Sequence, residues 1–169
     1  MVCAGGYVVA PAPVVRELRA MRRLMMRHVA TNNQQAAASF IAHGYHEAYV
    51  RRLNLAYRER ARVLTAALAQ HAPQLQASAA RGGSALWVQG PPGLDTSTLA
   101  ERLLVQGVVV EPGAVFYAEP PATCNAMRIG YSSIAVDRIE EGVRIIAREL
   151  QAVRRWSMLA PEPSRLTPQ

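Results

Sequence analysis

The stretch Met127-Arg128-Ile129-Gly130-Tyr131-Ser132-Ser133-Ile134 decides how this chain is read. Met127, Ile129 and Tyr131 alternate with Arg128 and Gly130, the period-two pattern of a strand with one apolar face. That face needs a cover. Ile134 to Val153 supplies one, because Ile139, Val143, Ile146 and Leu150 recur at helical steps and form a single apolar stripe. Met127 and Ile129 then face the core and Arg128 projects from the other side. A planar fork of donors suits a bidentate carboxylate contact; a plain surface arginine on a strand accounts for the same residue.

Upstream, Val108 to Val110 reads as a buried strand, Glu111-Pro112-Gly113 as a turn and Pro120-Pro121 as a loop. Asp95 or Thr96 can cap a helix through Leu99, Leu103 and Leu104, with Gly107 at its end. Leu75 to Ala79 and Ser84 to Val88 flank Arg81-Gly82-Gly83, the composition of a hairpin turn. From about Glu47 to His71 runs a long helical pattern that Pro73 stops. Thr31-Asn32-Asn33 offers capping oxygens for a helix through Ala36 to Ile41 that Gly44 ends. Val14, Leu18, Met21, Leu24 and Met25 are helically spaced beside a second stripe of Arg16, Arg19, Arg23 and Arg27. Gly5 to Pro11 reads as a short buried strand with no strand partner nearby, and the residues beyond Trp156 as a frayed tail.

Composition narrows the chemistry. The 169 residues are half hydrophobic, enough for a sizeable core, with a net charge of +7. All 19 basic residues are Arg and none is Lys, which removes any mechanism needing a lysine amine from these residues. Residues 1–81 hold 11 Arg against Glu17, Glu47 and Glu59, while the rest is close to balanced. Cys3 and Cys124 make no disulfide scaffold and no zinc knuckle, and no run matches a membrane span or secretory leader, so a soluble cytoplasmic protein is expected.

A resemblance joins these pieces. The succession Gly6-Tyr7-Val8-Val9-Ala10-Pro11, Arg22-Arg23-Leu24, Thr31-Asn32-Asn33-Gln34-Gln35-Ala36, Tyr57-Arg58-Glu59-Arg60, Leu86-Trp87-Val88, Gly107-Val108-Val109-Val110-Glu111-Pro112-Gly113 with Phe116, and Met127 to Ile134 resembles the C-terminal part of a class I/II aminotransferase domain. It is most similar to the version in MocR-type regulators of the GntR superfamily. The resemblance implies an α/β, pyridoxal-phosphate-dependent transferase fold: a small mixed or antiparallel sheet covered by helices and preceded by long connecting helices. Residues 1–13 would be the remnant of the last large-domain strand, 14–72 the connecting helices, 73–156 the small domain and 157–169 a disordered tail. It also implies a homodimer, an amino-acid-like ligand, no membrane association, and DNA contact only through a domain not present here.

The resemblance makes Arg128 the residue that grips a substrate carboxylate. It brings Tyr7, Thr31 and Asn32 to the subunit interface or the edge of an active site, although Tyr7 also reads as a packed aromatic and Thr31 and Asn32 as a helix cap. One departure bears on activity. The family's cofactor forms an imine with a lysine just before the Gly-Tyr-Val-Val-Ala-Pro strand, and an arginine shortly after that lysine helps hold the phosphate. Here Met1-Val2-Cys3-Ala4-Gly5 stands there, so no covalently held pyridoxal phosphate and no catalytic residue are expected, as for a truncated or frameshifted product.

Other constellations are weaker. The arginine stripe and the Arg51 to Arg62 cluster suit phosphates, a docking partner or plain solvent, and no winged-helix pattern is present. His28, His43, His46 and His71 lack acids or thiols at ligand spacing, and Cys124 lacks a nearby base. Gly82-Gly83 and Gly113 lack the lysine and hydroxyl of a phosphate loop.

Overall fold

The computed structural model describes residues 6–78 and 82–159, and the chain divides into two compact units, Met1–Leu53 and Asn54–Gln169. In the first, helix α1 (Ala12–Met26) starts with a proline in its first turn, where no N–H is needed. Helix α2 (Thr31–Ala42) follows, and Gly44, at φ +73°, turns the chain into helix α3 (Tyr45–His71). Phe40 sets its ring 6.0 Å from Tyr45 and 6.2 Å from Tyr49. No residue of α1 or α2 is buried.

Two expectations fail here. Residues 6–11 form no strand, and Tyr7, 90% exposed, is not a packed aromatic. An apolar run becomes a strand only beside another strand's backbone, and none of the described strands lies there. Thr31 and Asn32 are exposed helical residues, not the N-cap: α2 starts after Ala30, which stands in the capping position and has no hydrogen-bonding side chain to cap with. The Gln34 side chain instead donates to the Val29 carbonyl (3.2 Å).

The second unit is an antiparallel sheet of order β1-β2-β4-β3. Its strands are β1 (Gln76–Ala77), β2 (Ala85–Gln89), β3 (Glu111–Pro112) and β4 (Ala126–Gly130). The fold is α/β with a small antiparallel sheet, as the sequence implies. Leu86 and Val88 of β2 and Met127 and Ile129 of β4 share one apolar face. That face belongs to a core with Leu64 and Leu68 of α3, Leu99 and Leu103 of helix α4 (Thr96–Val105), and Ile139, Val143, Ile146 and Leu150 of helix α5 (Val136–Leu159). An ion pair from Arg102 to Glu149 (2.8 Å) and a hydrogen bond between His71 and Glu140 (3.1 Å) tie the helices at the rim. Helix α5 extends into the stretch expected as tail; residues 160–169, Cys3 and Arg81 lie outside the described residues.

Val108 to Val110 are not a strand, and Glu111-Pro112 is not a turn. The Gly107 and Val108 amides close the end of α4 onto the carbonyls of Leu104 (3.0 Å) and Leu103 (2.9 Å), with Gly107 at φ +77°. The Val108 donor is therefore committed to the helix end. Pairing starts only at Glu111 and stops at Pro112, whose missing N–H suits a sheet edge.

Three contacts fix where β4 begins. The fully buried Thr96 hydroxyl shares its proton between the carbonyls of Cys124 (2.8 Å) and Ala126 (2.7 Å). The Asn125 side chain donates to the Gly90 carbonyl (2.7 Å), and the Gly90 amide returns a bond to Asn125 (2.8 Å). Buried Gly113 starts a 3-10 turn (Gly113–Phe116) so close to β4 that a Cβ there would strike the Ala126 carbonyl. Gly113→Ala should therefore lower stability by about 1–3 kcal/mol through forced displacement of the backbone, seen as a lower denaturation midpoint.

Helix α4 is capped by Asp95, which accepts from the Ser97 amide (3.0 Å), the Thr98 amide (3.3 Å) and the Thr98 hydroxyl (2.6 Å). The Thr98 hydroxyl leads in holding its carboxyl below the ordinary aspartate range, against a smaller opposing effect of burial. A carboxyl whose folded pKa is depressed stabilises above its unfolded value and loses that contribution as pH falls through the folded value. Asp95→Ala should cost about 1 kcal/mol near neutral pH. In chemical denaturation the gap from the parent should shrink as pH is taken below about 4.

Candidate functional site

The sheet register builds the site. Arg128 of β4 lies directly opposite Trp87 of β2 on one side and Glu111 of β3 on the other. Residues paired across adjacent strands share a face, and alternation puts this face opposite the one that carries Met127 and Ile129. The row Trp87, Arg128, Glu111 therefore runs across three strands on the outer side of the sheet.

Arg128 Nη1 donates to Glu111 Oε2 at 2.5 Å, and the two side chains are 37% and 49% exposed. Beside them Trp87 meets Phe116 edge to face at 5.6 Å and Tyr117 at 6.2 Å. The result is one guanidinium held by one carboxylate next to an aromatic wall open to solvent. The guanidinium has more donors than the single contact to Glu111 uses, so it can take a further anion.

Of the residues singled out from sequence, only Arg128 lies in this constellation. Tyr7, Thr31 and Asn32 belong to the other unit. Trp87 and Glu111 were read only as parts of longer motifs. Their contribution comes from a register that pairs residues 17 and 41 positions away from Arg128 in sequence. Ser132, in the same stretch as Arg128, serves the fold instead, since its carbonyl accepts from Arg60 Nη1 at 2.7 Å. Tyr131 beside it is buried, donates to the Gly83 carbonyl (3.0 Å) and packs edge to face on Tyr57. Burial, then the neighbouring Tyr57, pushes its phenol pKa up.

Elsewhere the chemistry is sparse. A cavity of about 230 Å³ at the far end of β4 is lined by Val108, Val110, Ile129, Ile134 and Ile146, together with the ion pair of Arg138 and Glu141. Among the described residues no three His, Cys, Asp or Glu side chains gather to hold a metal ion. No described helix is long and apolar enough to cross a membrane. Cys124 is buried, with its thiol turned to the Ala126 carbonyl.

Comparison with known proteins now bears on this site. The sequence model for aminotransferase class I and II matches residues 1–148. The chain belongs to that family. It is 41% identical over 146 residues to the HTH-type transcriptional regulator TauR of Rhodobacter capsulatus, covering 86% of this chain and 30% of the regulator. It is 27% identical over 148 residues to the 2-aminoadipate transaminase of Thermus thermophilus, covering 87% of this chain and 37% of the enzyme. Among solved structures, LysN, the alpha-aminoadipate aminotransferase of Thermus thermophilus complexed with N-(5'-phosphopyridoxyl)-L-leucine, superposes with a TM-score of 0.79 at 26% identity. The match covers 88% of this chain and 38% of that one. The chain thus spans about a third of the length of these relatives, which include both regulators and enzymes.

The family implies pyridoxal phosphate. These residues do not fit it as an anchor, because none of the 169 is a lysine and no other side chain supplies a primary amine. What the outer face of the sheet offers is one guanidinium with donors left over for an anion.

Proposed function

We propose that this chain is the carboxylate-recognising C-terminal portion of an aminotransferase-type domain from a MocR-like regulator. In this reading it binds an amino-acid-like ligand through Arg128 and does not transaminate by itself. The observation that carries the reading is the placement of Arg128: a half-exposed guanidinium on the open face of the sheet, beside Trp87, Phe116 and Tyr117. The fork binds the carboxylate, and the aromatic wall excludes water from one side of the ligand and packs against its side chain. The identity to TauR supports a regulator over an enzyme. In the parent protein residues 1–13 adjoin the large domain, 14–72 are connecting helices and 73–156 the small domain, which 157–169 follow. That parent is a cytoplasmic homodimer, with Tyr7, Thr31 and Asn32 at its subunit edge and DNA bound by a separate domain.

A second reading, an interaction module, is favoured by the first unit. Along α1 the apolar stripe is open, with Val14 47%, Leu18 40%, Met21 55% and Leu24 88% exposed. An amphipathic helix with no buried residue is built to be covered by another polypeptide surface.

Titration of the chain with L-leucine, followed by calorimetry, tests the first reading. Arg128→Gln should weaken binding at least roughly tenfold, the usual worth of a charge-assisted contact. Unchanged binding would contradict it.

A further inference from the structure

We propose that Glu111 is a specificity-determining residue that makes the Arg128 site favour amino acids, which carry an ammonium group, over the corresponding oxo acids, which do not. The inference rests on Arg128 being the carboxylate-binding residue. Glu111 holds Arg128 Nη1 at 2.5 Å from the neighbouring strand, and the register opposes the two residues directly. This backbone pairing keeps Glu111 on the strand next to Arg128, within reach of its guanidinium. Gly113, two residues further on, admits no side chain against Ala126, so the segment bearing Glu111 is held close to β4.

A ligand carboxylate at Arg128 therefore arrives next to a carboxylate already there. With an oxo acid, two negative charges share one positive charge, and the surplus repels at close range. With an amino acid, the ligand's own ammonium balances the group, and Glu111 can face it. The pair is half-exposed, which damps the effect without removing it, since exposed charges in contact still interact. Such a residue selects by disfavouring the wrong ligand rather than by adding contacts to the right one. An aminotransferase has to accept both amino acid and oxo acid in turn, whereas a sensor of amino acid gains from refusing the oxo acid. The other arginine–carboxylate pairs among the described residues of this unit lie on helices and not across neighbouring strands: Arg102 with Glu149, Arg138 with Glu141 and Arg144 with Glu140.

The test is calorimetric titration of the full 169-residue chain with L-leucine and with the oxo acid bearing the same side chain. Glu111→Gln, Glu111→Ala and Arg128→Gln are measured alongside the parent, and circular dichroism verifies that each variant is folded. The parent should prefer L-leucine by roughly tenfold, the size expected of a neighbouring like charge in a partly solvated site. Both Glu111 variants should narrow that preference, chiefly by binding the oxo acid more tightly, and Arg128→Gln should bind neither ligand well. A preference that stays the same in both Glu111 variants, including one in which both ligands gain equally, overturns the proposal while leaving Arg128 as the carboxylate site. Parent-like binding of both ligands by Arg128→Gln overturns the carboxylate reading itself, and this inference with it.

Discussion

The pairing of β2 with β4 is the constraint on which the second unit depends. Each strand has two faces, and five register pairs from Ala85↔Gly130 to Gln89↔Ala126 fix which side chains go to which. A slip of one residue would send Met127 and Ile129 into water and drive Arg128 into the apolar core. The register is therefore held from outside the ladder as well, by the Thr96 hydroxyl on the carbonyls of Cys124 and Ala126, by Asn125 on Gly90, and by the close approach of Gly113. The contacts that close the core are the ones that aim the guanidinium outward.

Legibility from sequence followed from how local each determinant is. The alternation of Met127 to Tyr131, the stripe of Ile139, Val143, Ile146 and Leu150, and the cap at Asp95 are each specified by a few consecutive residues, and the structure keeps all of them. Val108 to Val110 misled because β-branched composition says nothing of whether an amide is already committed, and the Val108 amide belongs to the end of α4. Gly6 to Pro11 misled for a related reason: an apolar run declares that it wants a neighbour, not that these residues contain one. Thr31 has the chemistry of a cap, but the helix takes it in as its first residue.

The candidate site divides in the same way. Arg128 could be singled out because the residues around it in sequence say which face it occupies. Glu111 and Trp87 could not, because their meeting with Arg128 is a property of strand pairing across a helix and two loops. Their chemistry is as ordinary in sequence as any glutamate before a proline or any tryptophan in a strand. Side by side on the sheet they turn a lone cation into a site with a charge balance and an apolar wall. A guanidinium, unlike an amine, is no imine-forming nucleophile, so the 19 arginine side chains of a chain without lysine can pair with anions but not with carbonyls.

The central claim, that the second unit presents one guanidinium to an amino-acid carboxylate, is tested most directly by the arginine side-chain Nε–H resonances of the nitrogen-15-labelled chain during titration with L-leucine. The account predicts that the Arg128 signal shifts progressively and saturates, while those of Arg16, Arg19, Arg23 and Arg27 stay in place. A titration that leaves Arg128 unmoved, or that shifts those four arginines instead, would contradict it.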